Sequence, residues 1–125
     1  GLNERELLHS QIIRDADKTD IFAILVSGNK ETIWGKENFE QEKISDEIYR
    51  QYLEKDRIDY KEIKTPADML TCHFKYTYDL NFKITKEIIK EKQYIDKLYN
   101  RFTFENEETS KRFNKIYELA KENIN

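Results

Sequence analysis

Asp15, Asp17 and Asp20 place three carboxylates within six positions, with Arg14 and Lys18 standing among them. Carboxylates ligate divalent cations, so the chemistry such a cluster could serve is metal binding. Position singles out Asp17. Apolar residues bracket the cluster: Leu7, Leu8, Ile12 and Ile13 before it, then Ile21, Phe22, Ala23, Ile24, Leu25 and Val26 after it. A helical turn of about 100° per residue sets Ile13, Asp17 and Ile21 about 40° apart, with Ile24 between Ile13 and Asp17. Asp17 is therefore expected inside an apolar stripe, buried, where an ionised carboxylate is costly unless paired or metal-bound. Two roles meet that demand: a metal ligand, or a structural carboxylate neutralised by a guanidinium such as Arg14. Asp20, one turn on, suits a group that orients a ligand or a water, or one that pairs with a cation from another helix. Asp15 points to the far side and is expected in solvent. Arg14 and Lys18 flank the cluster, where ordinary surface charge is the plain reading of both.

The segment Arg14-Asp15-Ala16-Asp17-Lys18-Thr19-Asp20 resembles the last motif of the HD-domain metal-dependent phosphohydrolases. Further along, Tyr78-Asp79-Leu80-Asn81-Phe82 and the helical tail after it resemble the C-terminal part of a bacterial branch of that superfamily. The resemblance runs over most of the chain. It implies an all-α fold, hydrolysis of a phosphate ester or nucleotide, and a divalent cation (Mn, Mg, Fe or Zn). That cation is held by a first His, an adjacent His-Asp doublet and a final Asp. Asp17 matches the final Asp, and in an intact enzyme Arg14 and Lys18 approach the substrate phosphate. Thr19 stands where the family more often has an apolar residue. No His-Asp doublet occurs here, since Ser10 follows His9 and Phe74 follows His73. Only sixteen residues precede Asp17, and the first is Gly1 rather than Met. The expectation is a truncated, C-terminal portion of an HD-type hydrolase lacking three of its four ligands. One carboxylate leaves a cation mostly hydrated, so little affinity for metal is expected of this chain alone. The other expectation is a non-catalytic helical module whose open groove takes a missing N-terminal half or a second copy as a homodimer.

The remaining reactive residues read as structural. His9 lies two turns before Asp17, about 12 Å along a helix axis, too far to share its ion. His73 falls on a face with Met69, Leu70 and Phe74, which predicts a hydrogen-bonded core histidine. Cys72 reads as packing, and Asp79 and Asn81 as turn and capping residues between helices.

Helices must hold these groups in place. The first is expected from about Asn3 or Glu4 to near Ser27, stopping at Gly28-Asn29 in a left-handed conformation. Residues 28–43 read as an irregular loop whose Trp34 and Phe39 pack down on the core. Ser45 predicts an N-cap with Asp46 and Glu47 in the first turn, and the helix it opens carries Ile48, Tyr49, Tyr52 and Leu53 on one side. Thr65-Pro66 opens another helix. Asp79 to Phe82 breaks that one, and Thr85 is expected to cap a further helix, with Ile84 and Ile89 as its staple. The stripe of Ile88, Ile95, Leu98, Tyr99 and Phe102 extends it. Asn106 opens the last, whose inner face is Phe113, Ile116, Tyr117, Ala120 and Ile124. No segment alternates with period two. The architecture expected is one all-α domain over residues 1–125, a partial HD-like bundle of about five helices.

Composition sets outer bounds. The chain has 125 residues, enough for one core, and three Gly and one Pro leave little to punctuate long helices. A charged fraction of 38% is offset by fifteen aromatic residues besides Trp34, which favour a folded core over disorder. With 22 basic against 25 acidic residues there is no basic surface to suggest nucleic acid as a partner. No apolar run approaches the ~20 residues of a membrane span. A lone Cys72 excludes an internal disulfide and fits a reducing, cytoplasmic setting, and the Ile, Lys, Asn and Tyr bias fits a bacterial genome.

Overall fold

The computed structural model describes residues 3–125, so that Gly1 and Leu2 lie outside the described residues. The chain is all-α, a helical bundle in which α1 (Glu4–Ser27), α2 (Lys30–Trp34) and α3 (Asp46–Glu54) precede α4 (Pro66–Lys75). They are followed by α5 (Lys83–Glu91), α6 (Tyr94–Tyr99) and α7 (Glu107–Ile124), with short 3-10 turns at Tyr60–Glu62 and Tyr76–Tyr78. No described helix is long and apolar enough to cross a membrane.

Four helices open on side chains that satisfy their first free N–H groups, α2 on Asn29, which accepts from the Thr32 amide, and three others where sequence expects a helix to start. Asn3 accepts from the amide of Glu6, Asn106 from that of Thr109, and Thr65 and Asp68 form a reciprocal capping box behind Pro66. Ser45 also stands at an N-cap, but its hydroxyl and amide donate to the Asp68 carboxylate instead, at 2.6 and 2.8 Å. That bond draws the start of α3 against the start of α4. The core forms where α4 packs on α3 and α7, and α7 packs in turn on α5 and α6. Ile48, Tyr52, Leu70, Phe74, Ile89, Ile95, Leu98 and Ile116 are fully enclosed there. Trp34, Phe39, Phe102, Phe104 and Phe113 meet edge to face at one end. Trp34 and Phe39 pack down as expected, though residues 30–34 form a helical turn, not a loop.

Several local expectations are corrected. Gly28 is extended, not left-handed, and its lack of a side chain matters because a Cβ would fall 2.8 Å from the carbonyl oxygen of Ile24. Arg101 closes this helix end, donating to the carbonyls of Leu25 and Gly28, and Lys30 fixes Arg101 by donating to its carbonyl at 2.7 Å. Leu53 is exposed at the end of α3. Thr85 does not cap α5, which begins at Lys83 with Phe82 at its N-cap. The single helix expected beyond Thr85 is two, because Gln93 adopts φ 58 and turns the chain between α5 and α6. A left-handed backbone strains a side chain with a Cβ and suits glycine. Gln93→Gly is expected to raise stability by about 0.5 kcal/mol, partly offset by a more flexible unfolded chain, and a urea melt would register it.

Candidate functional site

Two faces of α1 carry apolar or charged residues at helical spacing, and the bundle covers the less obvious one. The residues turned inward are Asp15, Phe22 and Leu25, with Lys18 half-buried between them, while α1 packs on α5 and α6. The stripe that sequence places in the core is open instead. Leu7, Leu8, Ile12, Ile13 and Ile24 are each 45–58% exposed. Asp17, on that stripe, is exposed, so the burial cost expected of it is absent.

Asp15 is the larger correction. Expected in solvent, it is only 3% exposed and collects hydrogen bonds across the start of α5. The Asn81 amide donates to both its oxygens at 2.9 and 3.2 Å, and the Asn81 side chain donates at 3.0 Å. The Phe82 amide donates at 2.9 Å and the Thr85 hydroxyl at 2.6 Å. Burial pushes its carboxyl pKa up, but the bonds from Thr85, Asn81 and Phe82 together hold it below the usual carboxylate value. Asp15 thus fastens α1 to the two residues that lead into α5 and to Thr85 in its first turn. One helical step on, Lys18 pairs with Asp79 at 2.9 Å. The segments 14–20 and 78–82 are therefore joined by hydrogen bonds and an ion pair.

Arg14, Asp17, Lys18 and Ile21 line one wall of a cavity of about 740 Å³. Residues after α3, the face of α4 and the turn at Tyr76–Tyr78 close the other walls. Three of the four residues predicted from sequence are brought together here. Asp20 is not: it is exposed and does not line the cavity. Lys18 has its charge met by Asp79, whereas Arg14 and Asp17 have no ion-pair partner among the described residues. Sequence reasoning missed the opposite wall, where Lys75, Arg57, Lys55, Tyr60 and Tyr76 stand. A signal existed for Lys75, since Asp68, Thr71, Cys72 and Lys75 follow the spacing of α4's buried stripe, which puts a lysine where an apolar residue is expected.

Among the described residues no three His, Cys, Asp or Glu side chains converge to hold a metal ion. Asp17 alone does not make a cation site, so no hydrolytic step is assigned to a metal in this chain. His9 is exposed near the start of α1. His73 is hydrogen-bonded as expected but half-buried at the edge of the core, its Nδ1 accepting from the Trp34 indole at 2.9 Å, and desolvation lowers its pKa to about 4. Cys72 is buried, and that burial pushes its thiol up, against a smaller opposing effect of a Tyr60 hydrogen bond. The Tyr60 and Tyr76 hydroxyls bond each other at 2.7 Å on the cavity wall. No protein-family model matches the chain, and neither a curated protein nor a solved structure matches it.

Proposed function

We propose that this chain is the C-terminal portion of an HD-type metal-dependent phosphohydrolase, supplying one ligand, Asp17, and phosphate contacts to a centre that other helices complete. The observation that carries the proposal is the convergence of Asp17 and Arg14 on one cavity, both without ion-pair partners among the described residues, beside an uncovered apolar stripe. A carboxylate free to ligate, a guanidinium free to grip phosphate and an apolar face open to more helices are what such a portion needs. The missing His and His-Asp ligands belong to the helices that cover Leu7, Leu8, Ile12 and Ile13. Manganese, magnesium, iron or zinc is the expected cation, and a phosphate ester or nucleotide the expected substrate. The same proposal makes the protein bacterial and cytoplasmic.

The test is to express the full reading frame that contains this chain and assay phosphate esters with manganese. The expected result is metal-dependent hydrolysis that Asp17→Asn lowers at least about a hundredfold, as loss of a metal ligand or its support does. A reading frame without a His-Asp doublet, or turnover indifferent to Asp17→Asn, would overturn the proposal.

A second function, a homodimerising helical module, is favoured by one pattern. Residues 6–14 read Glu-Leu-Leu-His-Ser-Gln-Ile-Ile-Arg. Two copies laid antiparallel about Ser10 set Leu7 against Ile13, Leu8 against Ile12 and Glu6 against Arg14, apolar on apolar and acid on base. If that module is the function, sedimentation of the 125-residue chain gives a dimer that Ile12→Glu returns to monomer; a monomer at all concentrations would leave only the hydrolase.

A further inference from the structure

Lys75 is the least accounted-for charge in the molecule. It is 6% exposed, yet no carboxylate lies within ion-pair distance among the described residues. Its ammonium donates to the Tyr52 carbonyl at 2.7 Å and stands 3.7 Å from the centre of the Tyr78 ring. An ammonium carries three donors, and this one has a single protein acceptor among the described residues. Ring faces repay only part of the cost of taking such a charge out of water. Burial pushes its pKa down, and the more distant Asp56 only partly counters that.

Lys75 also lines the cavity of about 740 Å³, a size usual for small-ligand sites. The charges on its walls do not cancel. Lys18 is paired with Asp79 and Glu54 with Arg50, which leaves Arg14, Lys55, Arg57 and Lys75 facing only Asp17 and Asp56. Between these cations the walls are apolar and aromatic, with Ile21, Leu53, Ile58 and the rings of Tyr60, Tyr76 and Tyr78. An excess of positive charge beside exposed rings suits a small anion attached to a flat organic body.

We propose that this cavity binds a ring-bearing phosphate monoester, the phosphate held by Lys75, Arg57 and Arg14 and the ring lying against Tyr60. The proposal rests on the hydrolase function above for taking this cavity as the site, but it assigns the opposite wall and needs no metal. The phosphate supplies the acceptors that Lys75 lacks, and Arg57 and Arg14 offer forked donors matched to phosphate oxygens.

Calorimetric titration in EDTA, at low salt, tests it with inorganic phosphate, phenyl phosphate and adenosine 5′-monophosphate as probes. Both ring-bearing phosphates are expected to bind saturably and about tenfold more tightly than inorganic phosphate, the ring stacking on Tyr60. A nucleoside preference separates a nucleotide from other aryl phosphates as the source. Lys75→Met is expected to weaken binding at least tenfold. Because Lys75 is buried, the exposed Arg57→Gln serves as a second variant with the same expectation, and Lys111→Met on the outer face of α7 as a control without effect. Absence of saturable binding, equal affinity for inorganic phosphate and phenyl phosphate, or wild-type affinity in Arg57→Gln would overturn the proposal. Since metal is chelated throughout, failure here is separate from failure of the hydrolase assay.

Discussion

Asp15→Ala is expected to destabilise the protein by about 3–4 kcal/mol, because it leaves buried donors without their charged acceptor. The substitution strips acceptors from the Asn81 and Phe82 amides and from the Thr85 hydroxyl at once, and those groups have no other partner among the described residues. It also removes the side chain that ties α1 to the start of α5. At about 3–5 °C per kcal/mol for a domain of this size, the melting temperature falls by about 10–15 °C. Thr85→Val removes one of these bonds and is expected to cost about 1–2 kcal/mol. In a double-mutant cycle the two losses should fall short of additivity, since both delete the same contact. A loss under 1 kcal/mol for Asp15→Ala would mean that the carboxylate is solvated, not shared.

Acid should begin to weaken the fold at a pH above the ordinary carboxylate range. The His73 ring titrates near 4 in the native protein against 6.5 when unfolded, burial being the cause. The unfolded chain therefore binds the proton more readily, and stability falls as pH drops from 6.5 towards 4. Over that window the loss approaches about 3 kcal/mol, and it is fully absent above pH 7. The geometry agrees with the sign: protonating Nδ1 ends its acceptance of the Trp34 N–H. Asp15 and Asp96, whose native values lie below 3.8, lose their contribution only at lower pH, so the two effects separate. Urea melts between pH 7 and pH 4 are expected to slope for the wild type and to lie nearly flat for His73→Gln, whose amide oxygen can still accept from Trp34. Equal slopes for both proteins would assign the acid sensitivity elsewhere.

The helices were readable where caps and breakers are local. Thr65-Pro66 and Asn106 open α4 and α7 because their partners lie within one turn. The faces were harder. Sequence ranks a helix face by its apolar residues, and on α1 that selects Leu8, Ile12 and Ile13, whereas packing is decided by what lies opposite. There the neighbours are the Asn81 and Phe82 amides and the Thr85 hydroxyl, so an acidic residue is drawn inside and the aliphatic stripe left out. Thr85 has the residue type of a cap but spends its hydroxyl on Asp15, 70 positions away. Gln93 carries none of the residue signals for a left-handed turn, which hid the break between α5 and α6. Of the site, the α1 wall was legible because Arg14, Asp17 and Lys18 share one helical face. The opposite wall depends on tertiary closure, and only the lysine in the buried stripe of α4 hinted at it.

The fastenings of α1 also bear on how the chain is made. Its middle waits for Asn81, Phe82 and Thr85, and its end waits for Arg101, 73 positions beyond Gly28. Made before these partners, the helix has no such fastenings until residues 81–101 have followed it. Such long sequence separations slow closure and prolong exposure of sticky surface. α1 is therefore expected to dock late, once α5 and Arg101 are in place.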